Sequence, residues 1–301
     1  MILASHGIIG SSIVQIPPTG LLIDYPNAAA AYSLRQLRSN YTGSAIRVRR
    51  SVGSPAEKDI GFVNNVLDVS DLQSFCSGTN GFITTWYDQS GNSRNFTQTT
   101  AANQPQIVSS GSVLTSNGEP IIDFNGTNSY MDGAWSSFFT STTNDFSIFN
   151  VLKYDVSNVT QIPFGVTNGA ATAEGSIDTV LHSYLSSSTD FYRVNGSITN
   201  YSTSIATEFG TTNDNLVVFQ KNGAVNNVYK NNSLRASQTF SSTLLGGVPT
   251  NTGYFLRIGT NRGYLNNWFN GNMKEMIIYP SSQSSNLSGI NSNINTYYGI
   301  Y

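Results

Sequence analysis

Acid–base or nucleophilic chemistry needs carboxyls, imidazoles or thiols, and this chain of 301 residues carries few of them. Glu occurs at positions 57, 119, 174, 208 and 275, His at 6 and 182, and Cys only at 76. Glu275 falls in a strand-like run with Met273 and Ile277 on the same face, where it would be a site carboxylate or the buried partner of a Lys or Arg. The second reading is preferred, because a buried carboxylate needs a partner. Asp178, Asp190 and Glu208 would have to meet in a cleft, and nothing in their spacing brings them together. His182 in VLHSYL reads as a half-buried strand residue rather than a general base. Cys76, beside Phe75, reads as a small buried hydrophobe. One Cys and two His make neither a disulfide nor a zinc set. There is no G-x-S-x-G elbow, no phosphate loop and no H-E-x-x-H.

The residues suit binding better. Sugars are held by aromatic faces against their C–H side and by amides against their hydroxyls. Loop-borne aromatics stand at Tyr130, Trp135, Tyr254, Tyr264 and Trp268, with amides at Asn128, Asn261, Asn266 and Asn267. RGYLNNWFNG is the best glycan-facing loop. The alternative is that Trp268 and Phe269 begin the last strand and pack inward. Asp123, Asp132 and Asp145 are the donors available to a structural calcium, but their spacing matches no motif, so no cofactor or metal site is expected. In AIRVRR, Arg47 and Arg49 share one face of a strand. With Asp59 and Asp88 they read as an ion-pair brace for the hairpin and the DQSGN turn, or else as an anion or uronate site.

These residues must be positioned by strands. Asp, Glu, Lys and Arg make up 11% of the chain, against about 25% in an average soluble domain. Net charge is −2, which leaves no electrostatic footprint for nucleic acid, and no apolar run approaches the ~20 residues of a membrane span. The 16 Tyr and 16 Phe fit pleated surfaces. Strands are predicted at Ser44–Ser51, Gly81–Tyr87, Ile121–Asn125, Phe146–Tyr154, Leu216–Lys221, Asn226–Lys230, Tyr254–Gly259 and Gly271–Tyr279, separated by Gly, Asn and Ser clusters. Helices are predicted at Asn27–Ser39 with Asn27 as cap, at Val69–Phe75 with Ser70 as cap, and over Ser284–Tyr298. The expected fold is all-β: a sandwich of two antiparallel sheets with a few short peripheral helices. Residues 1–20 are apolar, end in Pro-Pro, and read as an extended arm docking on a neighbouring subunit. Residues 21–301 form the sandwich domain.

Three stretches resemble a known family. They are AAYSLRQLRSNYTGSAIRVRRS (30–51), DIGF (59–62) leading into FCSGTNGFITTWYDQSGNSRNFTQTTAANQPQIV (75–108), and GEPIIDFNG (118–126). Together they resemble the N-terminal part of the fungal-type α-L-arabinofuranosidase B catalytic domain, a concanavalin A-like sandwich. They are also similar to bacteriophage virion proteins of the lectin/glucanase-like or laminin-G-like kind, and the wording is closer to these.

The resemblance implies a test. In the enzymes a nucleophilic Glu and an acid/base Asp do the chemistry. A loose alignment puts Lys230 at the first position and Asn261 at the second. On that basis the expectation is a non-enzymatic virion protein of a tailed bacteriophage, a capsid decoration, head-fibre or tail-fibre subunit. It would be held to other virion proteins through residues 1–20, be homo-oligomeric, touch neither nucleic acid nor membrane, and bind host or mucosal glycans through Tyr264, Asn266, Asn267, Trp268, Asn261 and Trp135. The alternatives are an arabinofuranosidase-like hydrolase and a free carbohydrate-binding module.

Overall fold

The computed structural model describes residues 19–53, 56–134, 138, 145–156, 159, 161–167, 179–185, 190–194, 197–201, 213–239, 255–260 and 267–301. In chain order the strands are β1 (Ala30–Ser33), β2 (Ile46–Arg50), β3 (Glu57–Ile60), β4 (Phe62–Val63), β5 (Val66–Leu67), β6 (Gly81–Trp86), β7 (Phe96–Thr97), β8 (Gln106–Ser109), β9 (Ser112–Val113), β10 (Thr115–Ser116), β11 (Glu119–Pro120) and β12 (Ile122–Asn125). The second half adds β13 (Met131–Ala134), β14 (Phe146–Tyr154), β15 (Phe164–Thr167), β16 (Thr179–Leu185), β17 (Asp190–Val194), β18 (Ser197–Tyr201), β19 (Asn215–Asn222), β20 (Val225–Lys230), β21 (Ser233–Thr239), β22 (Phe255–Ile258) and β23 (Asn270–Tyr279). The helices are α1 (Leu21–Asp24), α2 (Val69–Phe75) and α3 (Leu287–Tyr298).

The described strands form two antiparallel layers. In the first, β23 is central: β1 and β12 share one of its edges, and β14 takes the other, followed by β19, β20 and β21. In the second the order is β3, β2, β6, β7, β13, β22, β15, β16, β17, β18. β8 pairs with both β6 and β12 and so links the layers.

The main core lies between the layers and is dense in aromatics, among them Tyr32, Trp86, Phe96, Phe124, Phe164 and Phe269. A second core covers the outer side of the first sheet. There Leu21, Leu22, Ala31, Leu37, Phe149, Ile277 and Tyr279 pack under Ile290, Ile294 and Tyr298 of α3. β23 is therefore apolar on both faces, which is why its sequence does not alternate.

One predicted element is corrected. Asn27–Ser39 is not a helix: Ala30 to Ser33 form β1, paired with Ile278 to Glu275 of β23. Alanine is a strong helix former, but propensity yields to tertiary packing. Both Ala30 and Ala31 are fully buried, one in the core on each side of the sheet. Asn27 takes φ 69° and caps nothing. α2 forms as predicted, but its cap is Asp68, which accepts from the Asp71 amide at 2.9 Å. The closing helix ends at Gly299, in the left-handed region at φ 59°, the usual helix terminator.

Candidate active site

The outer face of the second sheet carries one continuous cross-strand row. Successive register partners are Asp59, Arg47, Thr85, Thr97, Asp132, Arg257 and Gly165. Partners in a ladder share a face. The flanking Ile46, Val48, Trp86, Phe96, Met131, Leu256 and Ile258 point the other way, into the core.

At the centre of that row Arg257 grips Asp132 at two points, with Nε and Nη2 each 2.7 Å from a carboxylate oxygen. The guanidinium carbon stacks 3.8 Å over the Tyr130 ring, and Tyr130 lies 6.2 Å from Trp268. Carboxylate, guanidinium and two aromatic rings thus form a ladder. Its geometry comes from the backbone. The Tyr130 amide donates to the Asn103 carbonyl at 3.0 Å, and its own carbonyl accepts from Gln98 Nε2 at 3.0 Å. Behind the ladder, Gly259 has φ +93°, and a Cβ there would stand 2.5 Å from the Ser129 carbonyl oxygen, so only glycine fits where β22 leaves the sheet. Aromatic faces beside a fixed fork of donors and acceptors are the elements of a sugar subsite.

The carboxylates of this face are spread out. Asp59 and Asp132 lie four strand spacings apart, about 19 Å at ~4.8 Å each. Glycoside hydrolysis uses carboxyl pairs about 5 to 9.5 Å apart, so these two do not form such a pair.

The opposite outer face holds a different carboxyl. Asp123 of β12 is in register with Asn272 of β23, and Asn272 with Lys153 of β14. Burial, helped by the nearby charge of Asp155, pushes Asp123 up to about 6. Lys153 Nζ holds Asp155 at 3.4 Å. Further along β23, Glu275 is clasped by Arg35, and Lys274 pairs with Asp214 at 2.7 Å with both side chains fully buried. Glu275 is therefore the buried partner of an arginine, as its sequence setting suggested.

Of the residues predicted to face a glycan, Tyr264, Asn266, Asn261 and Trp135 lie outside the described residues. Asn267 and Trp268 are half-buried; the Asn267 carbonyl accepts from the Ile162 amide at 3.0 Å, and Trp268 joins the ladder.

The predicted brace is divided between two places. Arg47 binds Asp59 at 3.1 Å and Glu57 at 2.7 Å, and Tyr87 donates to Asp59 at 2.8 Å. Arg49 instead donates to Gln104 at 2.6 Å and to the Ala101 carbonyl. Among the described residues Asp88 binds no arginine side chain. It organises its own loop by accepting from the amides of Ala31, Ser90 and Arg94. The physical reason is sidedness: Asp88 is buried, while Arg47 and Arg49 point outward.

The three aspartates considered as calcium donors also separate. Asp132 goes to Arg257 and Asp145 to Lys221, and Asp123 lies on the far face. Sequence reasoning missed the Asp132–Arg257 pair, which joins positions 125 residues apart, and no local pattern could have found it.

Comparison with known proteins adds the following. The family model "Alpha-L-arabinofuranosidase B, catalytic" matches residues 23–176. No match to a curated protein was found. Among solved structures, an arabinofuranosidase complexed with arabinofuranosyl-α-1,2-xylobiose is similar at 18% identity and TM-score 0.66, over 89% of this chain and 62% of that one. A mutant GH54 α-L-arabinofuranosidase soaked with 4-nitrophenyl α-L-arabinofuranoside gives 18% and 0.68, over 91% and 64%. The botulinum neurotoxin serotype D ligand-binding domain, in complex with N-acetylneuraminic acid, gives 10% and 0.50, over 85% and 50%. The chain thus spans less than two thirds of the length of the two arabinofuranosidases.

These findings overturn the expectation of a non-enzymatic virion protein, because the family match is to an arabinofuranosidase catalytic domain. The case against catalysis also loses its footing. Lys230 and Asn261 both lie beyond the matched residues. Lys230 ends β20 in the first sheet, while the stretch leading to 261 leaves β22 in the second.

Proposed function

This chain belongs to the α-L-arabinofuranosidase B catalytic family, and on that premise we propose that it is a glycoside hydrolase that releases arabinofuranosyl units from α-L-arabinofuranosides. The observation that carries the reading is the family match over residues 23–176, which spans the β2–β3 hairpin, the WYDQSGN loop and β12. It is supported by the aromatic–guanidinium–carboxylate ladder on the outer face of the second sheet.

The chemistry asks three things of the protein. It must hold the furanose ring, fix its hydroxyls, and meet an oxocarbenium-like transition state with two carboxyl groups. In this reading Tyr130 and Trp268 take the C–H side of the sugar, and the Asp132–Arg257 fork fixes hydroxyl groups. Because the fork is already assembled, binding costs little reorganisation of these side chains.

The test is hydrolysis of 4-nitrophenyl α-L-arabinofuranoside by the full chain. Release of nitrophenol above the rate in buffer, abolished by heat unfolding, is expected. No release under conditions where the protein is folded would overturn the reading.

A further inference from the structure

We propose that the pocket around Arg38 is a second binding site and that it takes the carboxylate of a uronic acid sugar. The pocket encloses about 300 Å3 between the turn before β1 and the WYDQSGN loop, walled by Leu22, Asn27, Ala28, Arg38, Ser90 and Asn92. That is the low end of ligand-pocket volumes, suited to a single sugar ring.

The argument starts from Arg38. Among the described residues its side chain has neither an ion-pair nor a hydrogen-bond partner, and its Nε is buried with no acceptor. Leaving a buried donor unsatisfied is unfavourable. Other described arginines are engaged: Arg35, Arg47 and Arg257 clasp carboxylates, and Arg94 donates to the Ala29 carbonyl.

The guanidinium is also held in place. Its carbon sits 5.9 Å over the Tyr41 ring, and Gly91, at φ +97°, lets the loop approach so closely that a Cβ would stand 2.9 Å from Arg38 Nη2. The fork is thus fixed while its hydrogen-bonding capacity is unused, the arrangement that favours bidentate recognition of a carboxylate.

Among the described residues none supplies the anion. Asp88 of the neighbouring loop accepts from three backbone amides and from Ser90 Oγ. Residues 1–18 contain neither Asp nor Glu. The remaining walls select a sugar: Leu22 and Ala28 offer an apolar floor for ring C–H groups, and the exposed Asn27 offers an amide to hydroxyls. The choice of a sugar acid over another carboxylate rests on the hydrolase reading, whereas the carboxylate itself does not.

The experiment is titration calorimetry of the full chain with glucuronate, glucose and acetate, repeated on Arg38→Gln. Glucuronate is expected to bind saturably, at least about tenfold tighter than glucose or acetate, and Arg38→Gln to weaken it by about tenfold or more. Glucuronate binding no tighter than glucose, or unchanged in the variant, would overturn the proposal; acetate binding as tightly as glucuronate would overturn its sugar half.

Should the variant not fold, phenylglyoxal modification of Arg38 in the unaltered protein, followed by peptide mapping, gives the same answer. Glucuronate should slow it several-fold and glucose should not, and absence of protection would refute the site. None of these readouts uses turnover, so the pocket and the hydrolase reading fail separately.

Discussion

Arg35 and Glu275 face each other beneath α3, with Nε and Nη2 of the arginine 2.7 and 2.9 Å from the two carboxylate oxygens. Tyr298 and Ser33 donate to the same carboxylate, so the acid has four donors. The arginine, in turn, is held well above its ordinary range by the Glu275 charge despite its burial. Removing one partner leaves the other charged and dry. Glu275→Gln should therefore cost about 3–5 kcal/mol in urea unfolding, and Arg35→Met with Glu275→Leu much less. A single-variant loss below about 1 kcal/mol would show that the pair matters little.

Asp123 gives a pH dependence with a definite sign. Its carboxyl sits at about 6 when folded and near 3.8 when unfolded. The native state therefore holds the proton more tightly, so the associated stability is present at low pH and lost as pH rises through 4 to 6. Asp123→Asn should raise stability at pH 7 by roughly 1 kcal/mol, after allowing for partial exposure, and leave it nearly unchanged at pH 4. Thermal unfolding at the two pH values checks this; equal shifts at both would refute the assignment.

The ladder on the second sheet makes a kinetic prediction. Trp268→Ala should lower kcat/KM on the aryl arabinofuranoside by about 10-fold or more, through lost ring contact. Asp132→Asn and Arg257→Gln should each lower it, and the double variant should lose less than the sum, because each single change leaves the other group without its partner. Strict additivity would mean that the two act independently.

Gly259 is predicted to be intolerant. Gly259→Ala meets both an unfavourable φ and the Ser129 carbonyl, and should destabilise by about 1–3 kcal/mol. A melting temperature unchanged by the substitution would contradict the close packing there.

Cys76 is fully buried, and burial pushes its thiol up. Ellman's reagent should react slowly with the native chain and promptly in denaturant. Prompt reaction without denaturant would show that the α2 region opens readily.

Much of the fold was legible because the strands are long, apolar and bounded by turn residues. β14 was predicted at its observed limits, Phe146–Tyr154. The Ala-rich stretch was not, since only the finished sheet reveals that Ala30 and Ala31 lie between two packed layers. The candidate site was legible residue by residue and not as a constellation. Trp268 was marked as a sugar-facing aromatic, but Tyr130 with Asp132, and Arg257, come from two other segments of chain. Composition identifies such residues, and only strand register brings them together.

β23 sits between β1 and β14, 248 and 132 positions later in the chain at the pairs Ala30↔Ile278 and Ser147↔Tyr279. During synthesis the N-terminal strands therefore emerge with the central seat of their sheet vacant. Their edges facing β23 stay unpaired until that strand has been made. Closure of this sheet is a late, non-local event in the order of synthesis, the kind of contact that forms slowly.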